Sequence, residues 1–353
     1  MNKEPFIWDN YSDQPHVIKD KAYKKDMRKK HIFDYIKLFF TSLFILPFAI
    51  LVMKFFKGKK EILNKDFYAI GVNLDKGNTQ QELIEELGVK NLLIRVPLWD
   101  IKNIDLYVNF AKSFTINSSK NILINIMQDR EHIENPTLLK NSLNTIFKKF
   151  DTLVDEYQIA TTINRAKWGF FSVKEYLDFY KVAQTLRDEK FPKLKLLGPS
   201  VIDFEYYYNA RAMFNLENIK YDKVSSLLYV DRRGSPYNTQ YAFFDTKNKI
   251  DLLYSLVKLS PKCSDEVYIT EVNWPILDTA PYAPTSQKEC VSNELYTKYM
   301  MQYHKIAKES KKINRVYWHQ LIAPGYGLVD NRDGKIVKLP QFYAYKEMIN
   351  SEN

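Results

Sequence analysis

Glu271 is the residue of this chain best placed to do chemistry. It lies in Val267-Tyr-Ile-Thr-Glu-Val-Asn-Trp-Pro275, a β-branched and aromatic run that ends at a Trp-Pro turn. An unpaired charge among apolar groups is unfavourable, so a carboxylate between Ile269 and Val272 indicates a functional role. A nucleophile or a general base would have such a role.

A carboxylate pair of the kind that cleaves glycosidic bonds would need a second acid across the site. The segment expected to supply it reads Tyr157-Gln-Ile-Ala-Thr-Thr-Ile-Asn164 and offers the hydroxyls of Thr161 and Thr162 instead. If the site is catalytic, its acid must come from elsewhere. Asp231 and Asp203, which follow two other predicted strands, are the candidates.

The elements that position these residues alternate regularly from residue 66 onward. Eight β-rich runs separated by helical patterns are predicted at 67–74, 91–96, 121–127, 157–162, 194–199, 223–230, 266–272 and 314–321. Eight parallel strands close a (β/α)8 barrel, whose strands share one pocket at their carboxyl ends. The alternative, an open doubly wound sheet, normally has a glycine-rich first turn, and Asp75-Lys-Gly-Asn-Thr79 has no such pattern.

The predicted strand ends carry acids, amides and aromatic rings, which suit the hydroxyls and C–H faces of a sugar. The expected substrate-binding residues are Arg95, Trp99, Thr162, Asn164, Trp168, Tyr229, Trp274, Trp318 and His319. Each has a structural alternative. Rim carboxylates often cap the next helix, rim tryptophans could plug the barrel top, Arg95 could pair with a carboxylate, and His319 could be a satisfied interior histidine.

The N-terminal segment carries most of the charge. Residues 1–60 hold 13 Lys and Arg against 6 Asp and Glu, and the remainder of the chain is nearly balanced. Residues 35–56 are almost wholly apolar and, as a helix, would span about 33 Å, enough to cross a hydrocarbon core of about 30 Å. The pattern predicts a single-pass signal anchor with basic flanks; a nucleic-acid-binding tail is the disfavoured alternative.

These observations predict a polar basic tail (1–34), a transmembrane anchor (35–56), a linker (57–65) and a barrel (66–353). Eight Lys and Arg lie between Lys19 and Lys37, against five between Lys54 and Lys65. This bias favours a cytoplasmic N terminus and an exported barrel at the inner membrane. The two cysteines and five histidines have no metal-ligand spacing, so no metal or other cofactor is predicted.

From residue 66 to the end, the order of motifs resembles the clan A glycoside hydrolases, retaining (β/α)8 enzymes, and family 39 in particular. The segments that carry the resemblance are 157–165, 196–201, 222–229, Ile269-Thr-Glu-Val-Asn-Trp274 and Val316-Tyr-Trp318. The resemblance implies that Glu271 is the nucleophile, Arg95 the strand-two arginine and Tyr229 the strand-six tyrosine.

The chain departs from that family at two places. The Asn-Glu pair of strand four, whose Glu is the acid/base, falls on Thr161 and Thr162, and the strand-six histidine is replaced near Leu227 or Leu228. Three hypotheses follow. The first is a membrane-anchored barrel that cleaves or binds a cell-envelope polysaccharide. The second is a non-catalytic glycan-binding relative, and the third is a cytosol-facing barrel enzyme for a phosphorylated metabolite.

Overall fold

The computed structural model describes residues 6–58, 61–116 and 118–351, and its centre is a closed barrel of eight parallel strands. The strands are β1 (Tyr68–Val72), β2 (Asn91–Pro97), β3 (Asn121–Met127), β4 (Glu156–Ile159), β5 (Lys195–Ile202), β6 (Lys223–Leu227), β7 (Val267–Val272) and β8 (Arg315–Trp318). Strand β8 pairs with both β7 and β1, which closes the sheet. The predicted (β/α)8 barrel is therefore confirmed.

Helices surround the barrel and precede it. They are α1 (Lys21–Lys30), α2 (Ile32–Val52), α3 (Asn64–Phe67), α4 (Gln80–Leu87), α5 (Ile104–Ser113), α6 (Arg130–Glu134), α7 (Pro136–Lys149), α8 (Val173–Lys190), α9 (Tyr206–Met213), α10 (Thr246–Leu259), α11 (Asn293–Glu309) and α12 (Pro340–Asn350). Two helix starts have side-chain N-caps: the Asn135 side chain accepts from the Leu138 N–H, and the Ser172 hydroxyl from the Glu175 N–H.

The strands are apolar on both faces because one face lines the barrel and the other meets the helices. The barrel interior contains a cluster with one residue from each of six strands: Ala69, Leu93, Leu123, Leu197, Tyr268 and Tyr317. Their chain neighbours, such as Ile269 and Trp318, join the larger core between barrel and helices. Side chains therefore point alternately into the barrel and towards the helices along each strand.

Four strands end earlier than predicted. Strands β1, β4, β6 and β8 stop at Val72, Ile159, Leu227 and Trp318, not at 74, 162, 230 and 321. After β4 the backbone enters the left-handed region, with φ of +69° at Ala160 and +51° at Thr162, and this conformation cannot continue a parallel ladder. The residues that follow these strands consequently belong to the loops of the barrel mouth.

Helix α2 contains the apolar run near the N terminus. Its 21 residues include an 18-residue stretch with a mean hydropathy of 2.1, of which only 6% is buried, so the helix could cross a membrane by length and composition. It packs along α8, α9 and α10. The Ser255 hydroxyl of α10, for example, donates to the Ala49 carbonyl at 2.8 Å.

Candidate active site

A β-bulge in β7 directs Glu271 into the barrel. Val316 of β8 pairs with Ile269 and Trp318 pairs with Val272, so Thr270 and Glu271 together lie opposite the single residue between them. The extra residue of a bulge changes the direction of side chains, and bulges are common beside active sites. Glu271 therefore reaches across the barrel mouth, although strict alternation would turn it outward.

Both carboxylate oxygens of Glu271 accept hydrogen bonds. Arg95 Nη2 donates to Oε2 at 2.6 Å, and the Tyr229 hydroxyl donates to Oε1 at 2.8 Å. Burial alone would raise the pKa of Glu271, but His319, Arg95 and the Tyr229 hydrogen bond hold it below its usual value. Burial and the adjacent carboxylate raise the pKa of Tyr229 well above its usual range. At neutral pH the site therefore holds a carboxylate with a phenol donor and a guanidinium against it.

His319 completes this group from the loop after β8. Its Nε2 lies 3.2 Å from Arg95 Nη2, and its ring stacks on Tyr326 with a centroid distance of 5.4 Å. Burial, and then the positive charge of Arg95, lowers the pKa of His319 to about 4. The imidazole is therefore neutral near pH 7, and its Nε2 accepts from the guanidinium.

A hairpin from the N-terminal segment covers the mouth, and sequence reasoning missed it. Two short antiparallel strands, Trp8–Asp9 and Gln14–Pro15, flank a turn in which the Asp9 carboxylate accepts from the Tyr11 N–H and the Ser12 hydroxyl. Such an Asp-initiated turn is the only local signal for a hairpin in a segment expected to be a polar tail.

Asp13, in the turn of this hairpin, is bonded to the barrel mouth. Its carboxylate accepts from Gln320 Nε2 at 2.8 Å, from the Tyr326 hydroxyl at 2.7 Å and from Lys76 Nζ at 3.0 Å. Its backbone carbonyl accepts from Arg95 Nη1 at 3.3 Å. The arginine that holds Glu271 thus also contacts the hairpin, which brings a second carboxylate into the same group of residues.

Trp8 occupies the aromatic part of the predicted sugar site. Its ring lies 5.4 Å from that of Trp99 and 5.8 Å, edge to face, from that of Trp168. Beside it, Lys167 Nζ donates to Gln14 Oε1 at 2.6 Å. The structure therefore brings Trp99 and Trp168 together as expected, but with a side chain of the same protein between them.

The two candidate acids lie in a neighbouring cleft. Asp203 and Asp231 both line a cavity of about 260 Å³ next to Tyr229. The carboxylate of Asp203 is paired with Arg165 at 2.7 Å, while Glu271 binds Arg95 and Tyr229. Arg233 lies over the Tyr229 ring at 3.7 Å from its centroid and closes this side of the mouth.

Three predicted substrate contacts lie elsewhere. Trp318 and Trp274 stack on each other 5.8 Å apart, fully buried between the barrel and α11, and the Trp318 indole donates to the Tyr296 hydroxyl. The expectation that they line the pocket is wrong. Tyr317 faces the barrel interior, so its neighbour Trp318 must face the helices, and Trp274 packs against Trp318 there. The third is Asn164, whose amide makes two structural hydrogen bonds with the Ile202 backbone: its Nδ2 donates to the carbonyl at 3.0 Å, and its Oδ1 accepts from the N–H at 2.9 Å.

Thr162 follows β4 at the barrel mouth and is buried, with 1% of its surface exposed. Its hydroxyl lies 3.4 Å from that of Thr161, whose backbone is bonded to Gln128. Across the described part of the chain, no group of three or more His, Cys, Asp or Glu residues has an arrangement that could hold a metal ion.

Acid should destabilise the fold through two buried histidines. Burial lowers the pKa of His304, which packs 5.1 Å from Trp318, to about 4, the value also reached by His319. An unfolded histidine has a pKa of about 6.5, so between these pH values the unfolded chain binds more protons and stability falls as the pH falls. Each histidine should contribute about 3 kcal/mol to this loss.

Denaturant titrations across that pH range measure the effect. We expect His304→Gln to reduce the slope of the unfolding free energy against pH between about pH 4 and 6.5, since one of the two buried imidazoles is removed. His16→Gln, at an exposed position, is the matched control and should leave the slope unchanged. A His304→Gln slope equal to that of the wild type would contradict the assignment.

Comparison with solved structures identifies the fold. A β-xylosidase from Caulobacter crescentus CB15 matches 84% of the chain with a TM-score of 0.60 at 12% identity, and 70% of its own length is covered. The GH39 enzyme from Xanthomonas axonopodis pv. citri matches 83% with a TM-score of 0.57 at 13% identity, with 67% of its length covered. The barrel has the fold of the clan A glycoside hydrolases.

A GH2 β-galacturonidase from Eisenbergiella tayi matches 84% of the chain with a TM-score of 0.52 at 13% identity. Here the chain spans about half of the larger protein, 52% of its length. No protein-family profile and no curated protein sequence matches the chain. At these identities the likeness concerns the fold, and the chemistry must be argued from the site.

Proposed function

We propose that this protein is a membrane-attached carbohydrate-active barrel that cleaves glycosidic bonds in a cell-envelope polysaccharide, with Glu271 as the nucleophile. The main support is the hydrogen bonding of the Glu271 carboxylate, which accepts from Arg95 at one oxygen and from Tyr229 at the other. A carboxylate held ionised at the carboxyl ends of barrel strands is suited to attack an anomeric carbon.

In the proposed reaction, a Glu271 oxygen forms a bond to the anomeric carbon while the glycosidic C–O bond breaks, and water later hydrolyses the glycosyl ester. Arg95 keeps the carboxylate ionised, and the Tyr229 hydroxyl orients it. The departing oxygen needs a proton, which a threonine hydroxyl cannot supply near neutral pH. Of the two candidate donors in the cleft beside Tyr229, Asp231 is the better suited, because the Asp203 carboxylate is ion-paired with Arg165.

The apolar helix α2 supports the membrane attachment, since it is long and apolar enough to enter a bilayer. If it crosses the bilayer, the excess of basic residues before it favours a barrel outside the cytoplasm. An envelope polysaccharide is the extended carbohydrate available to a barrel held at that surface.

A glycan-binding protein without hydrolysis is the second candidate. The observation that favours it is Thr162, which stands where the resemblance to clan A expects the acid/base carboxylate. Loss of a general acid typically slows catalysis by about 10²- to 10⁴-fold. Such a barrel would retain the pocket and bind sugar hydroxyls through Glu271.

Thr162→Glu separates these candidates. A glutamate here should raise cleavage by about 10²- to 10⁴-fold if only the acid is missing. The backbone φ of +51° suits glutamate no worse than the β-branched threonine. Thr161→Glu, one residue away, is the control and should not raise the rate. A folded Thr162→Glu protein with the wild-type rate would argue against a site that lacks only its acid.

The experiment that tests the proposal uses the full chain in detergent with xylo-oligosaccharides, oligogalacturonides and isolated envelope polysaccharide. New reducing ends, separated by mass spectrometry, would support the hydrolase. Saturable binding without products after prolonged incubation would support the binding protein, and neither binding nor products would overturn both.

A further inference from the structure

We propose that α2 lies in the plane of a membrane surface, with one face on the barrel and the other in the apolar layer of the lipid, and does not cross the bilayer. The inference rests on the membrane attachment of the proposed function and replaces the crossing orientation considered there, so the side of the membrane that carries the barrel is then read from the labelling experiment below. The ligand is an anionic lipid leaflet.

Helix α2 has two distinct faces. On the barrel side, Asp34, Ala49 and Met53, just beyond the helix, are buried, and Leu38 and Ile45 pack against the core. The opposite face carries large apolar side chains that are 45 to 79% exposed and recur every three or four residues: Phe33, Ile36, Phe40, Phe44, Phe48, Leu51 and Phe55. Monomeric soluble proteins rarely expose so continuous an apolar stripe, and its helical spacing gives it one direction.

Both ends of α2 are bonded to the barrel helices. Near its start, Asp34 Oδ1 accepts from Arg211 Nη2 at 2.6 Å and Nε at 3.0 Å, and both residues are buried. Beyond its last turn, Lys54 Nζ lies 2.7 Å from the Asp251 carboxylate of α10. The helix therefore follows the barrel over its whole length of about 30 Å.

This docking is incompatible with a membrane span. If α2 crossed the bilayer in this position, the helices beside it would enter the hydrocarbon, including the exposed charges of Lys174 and Lys247. A spanning helix would also separate the chain before it from the chain after it. The structure has both on one body, because Asp13 is bonded to Tyr326 and Gln320.

The residues that precede α2 match an anionic surface. Helix α1 carries six Lys and Arg against one Asp, and its basic side chains are largely exposed. Its apolar Met27 packs with Phe171 of the barrel, so the basic residues stay on the outside. A helix with a wide apolar face and nearby cations is typical of proteins that lie in the interface of anionic lipids, where each cation near the surface adds to the attraction.

Cysteine labelling tests the topology. Lys19→Cys, before α2, and Lys140→Cys, on the barrel, are each introduced into a full-length Cys263→Ser/Cys290→Ser background. We expect both cysteines to react with a membrane-impermeant maleimide from the same side of sealed membranes. Labelling from opposite sides would overturn the in-plane position while leaving the membrane attachment intact.

Vesicle binding tests the surface. Phe40→Glu/Phe44→Glu/Leu51→Glu should reduce sedimentation of the full chain with phosphatidylglycerol–phosphatidylcholine vesicles at least tenfold, because three exposed apolar side chains that would enter the lipid are lost. The matched control Ile116→Glu/Leu216→Glu/Tyr343→Glu changes three exposed apolar residues off the stripe and should bind as the wild type. Circular dichroism confirms folding. Equal binding by both variants would overturn the proposal. So would a wild-type protein that does not bind vesicles and forms a dimer that the first variant dissociates, because the stripe would then be a protein interface.

Discussion

Replacing Glu271 with glutamine is expected to reduce glycan cleavage by roughly 10³- to 10⁶-fold and to leave glycan affinity nearly unchanged. The amide keeps the shape of the side chain and can still accept from Tyr229, but it has no charge with which to attack the anomeric carbon. Reducing-end release measures the first quantity, and calorimetric titration with the same oligosaccharide measures the second.

Glu156→Gln is the control for this substitution. Glu156 is also a strand carboxylate in ion pairs, at 2.5 Å from Lys223, but it begins β4 and so lies at the opposite end of the barrel. Cleavage by that variant should remain near the wild-type rate. If Glu271→Gln cleaves as fast as Glu156→Gln, Glu271 is not the nucleophile.

Deleting residues 1–18 is expected to raise oligosaccharide affinity by about 10- to 100-fold. Trp8 fills the space between Trp99 and Trp168, and Asp13 accepts from Arg95, Gln320 and Tyr326, so a sugar at the proposed site would have to displace the hairpin. A ligand that binds only the minor open population has its affinity reduced by that fraction. Calorimetric titration of both chains compares the affinities.

Two substitutions test whether the affinity depends on the Trp8 contacts or on the rest of the hairpin. Trp8→Ala should reproduce much of the gain, because it vacates the aromatic site. Tyr11→Ala should leave the affinity unchanged, because the Tyr11 ring packs on Tyr282, with a centroid distance of 5.4 Å, and not on Trp99. A loss of affinity after deletion would indicate that the hairpin belongs to the sugar site itself.

The barrel could be predicted because each of its strands and helices is marked by a pattern of neighbouring residues in the sequence. Each strand is a short β-rich run between helical patterns, and the eight runs appear in the sequence at nearly the positions the structure gives them. The position of Glu271 at the barrel mouth was predictable for a related reason, since a lone carboxylate in an apolar run stands out, while its role in catalysis stays a prediction. The bulge that turns it inward left no recognisable sequence signal.

The errors have two physical origins. Trp318 and His319 were both assigned to the pocket, although neighbouring residues of a strand point in opposite directions, and the inward direction of Tyr317 decides which of them enters. The hairpin was missed because its contacts are distant in sequence. Asp13 and Tyr326 are separated by 313 residues, and nothing near residue 13 reveals that partner.

The pairing of Asp34 with Arg211 also imposes an order on biosynthesis. The two residues lie 177 positions apart, so the ribosome needs roughly 10 to 35 seconds after completing the start of α2 to supply its partner. During that interval the apolar helix has emerged and the barrel helices that will cover one face of it do not yet exist. With the proposed membrane attachment, the helix would reach the lipid before the barrel closes, and the nascent chain would assemble its sheet while already tethered there.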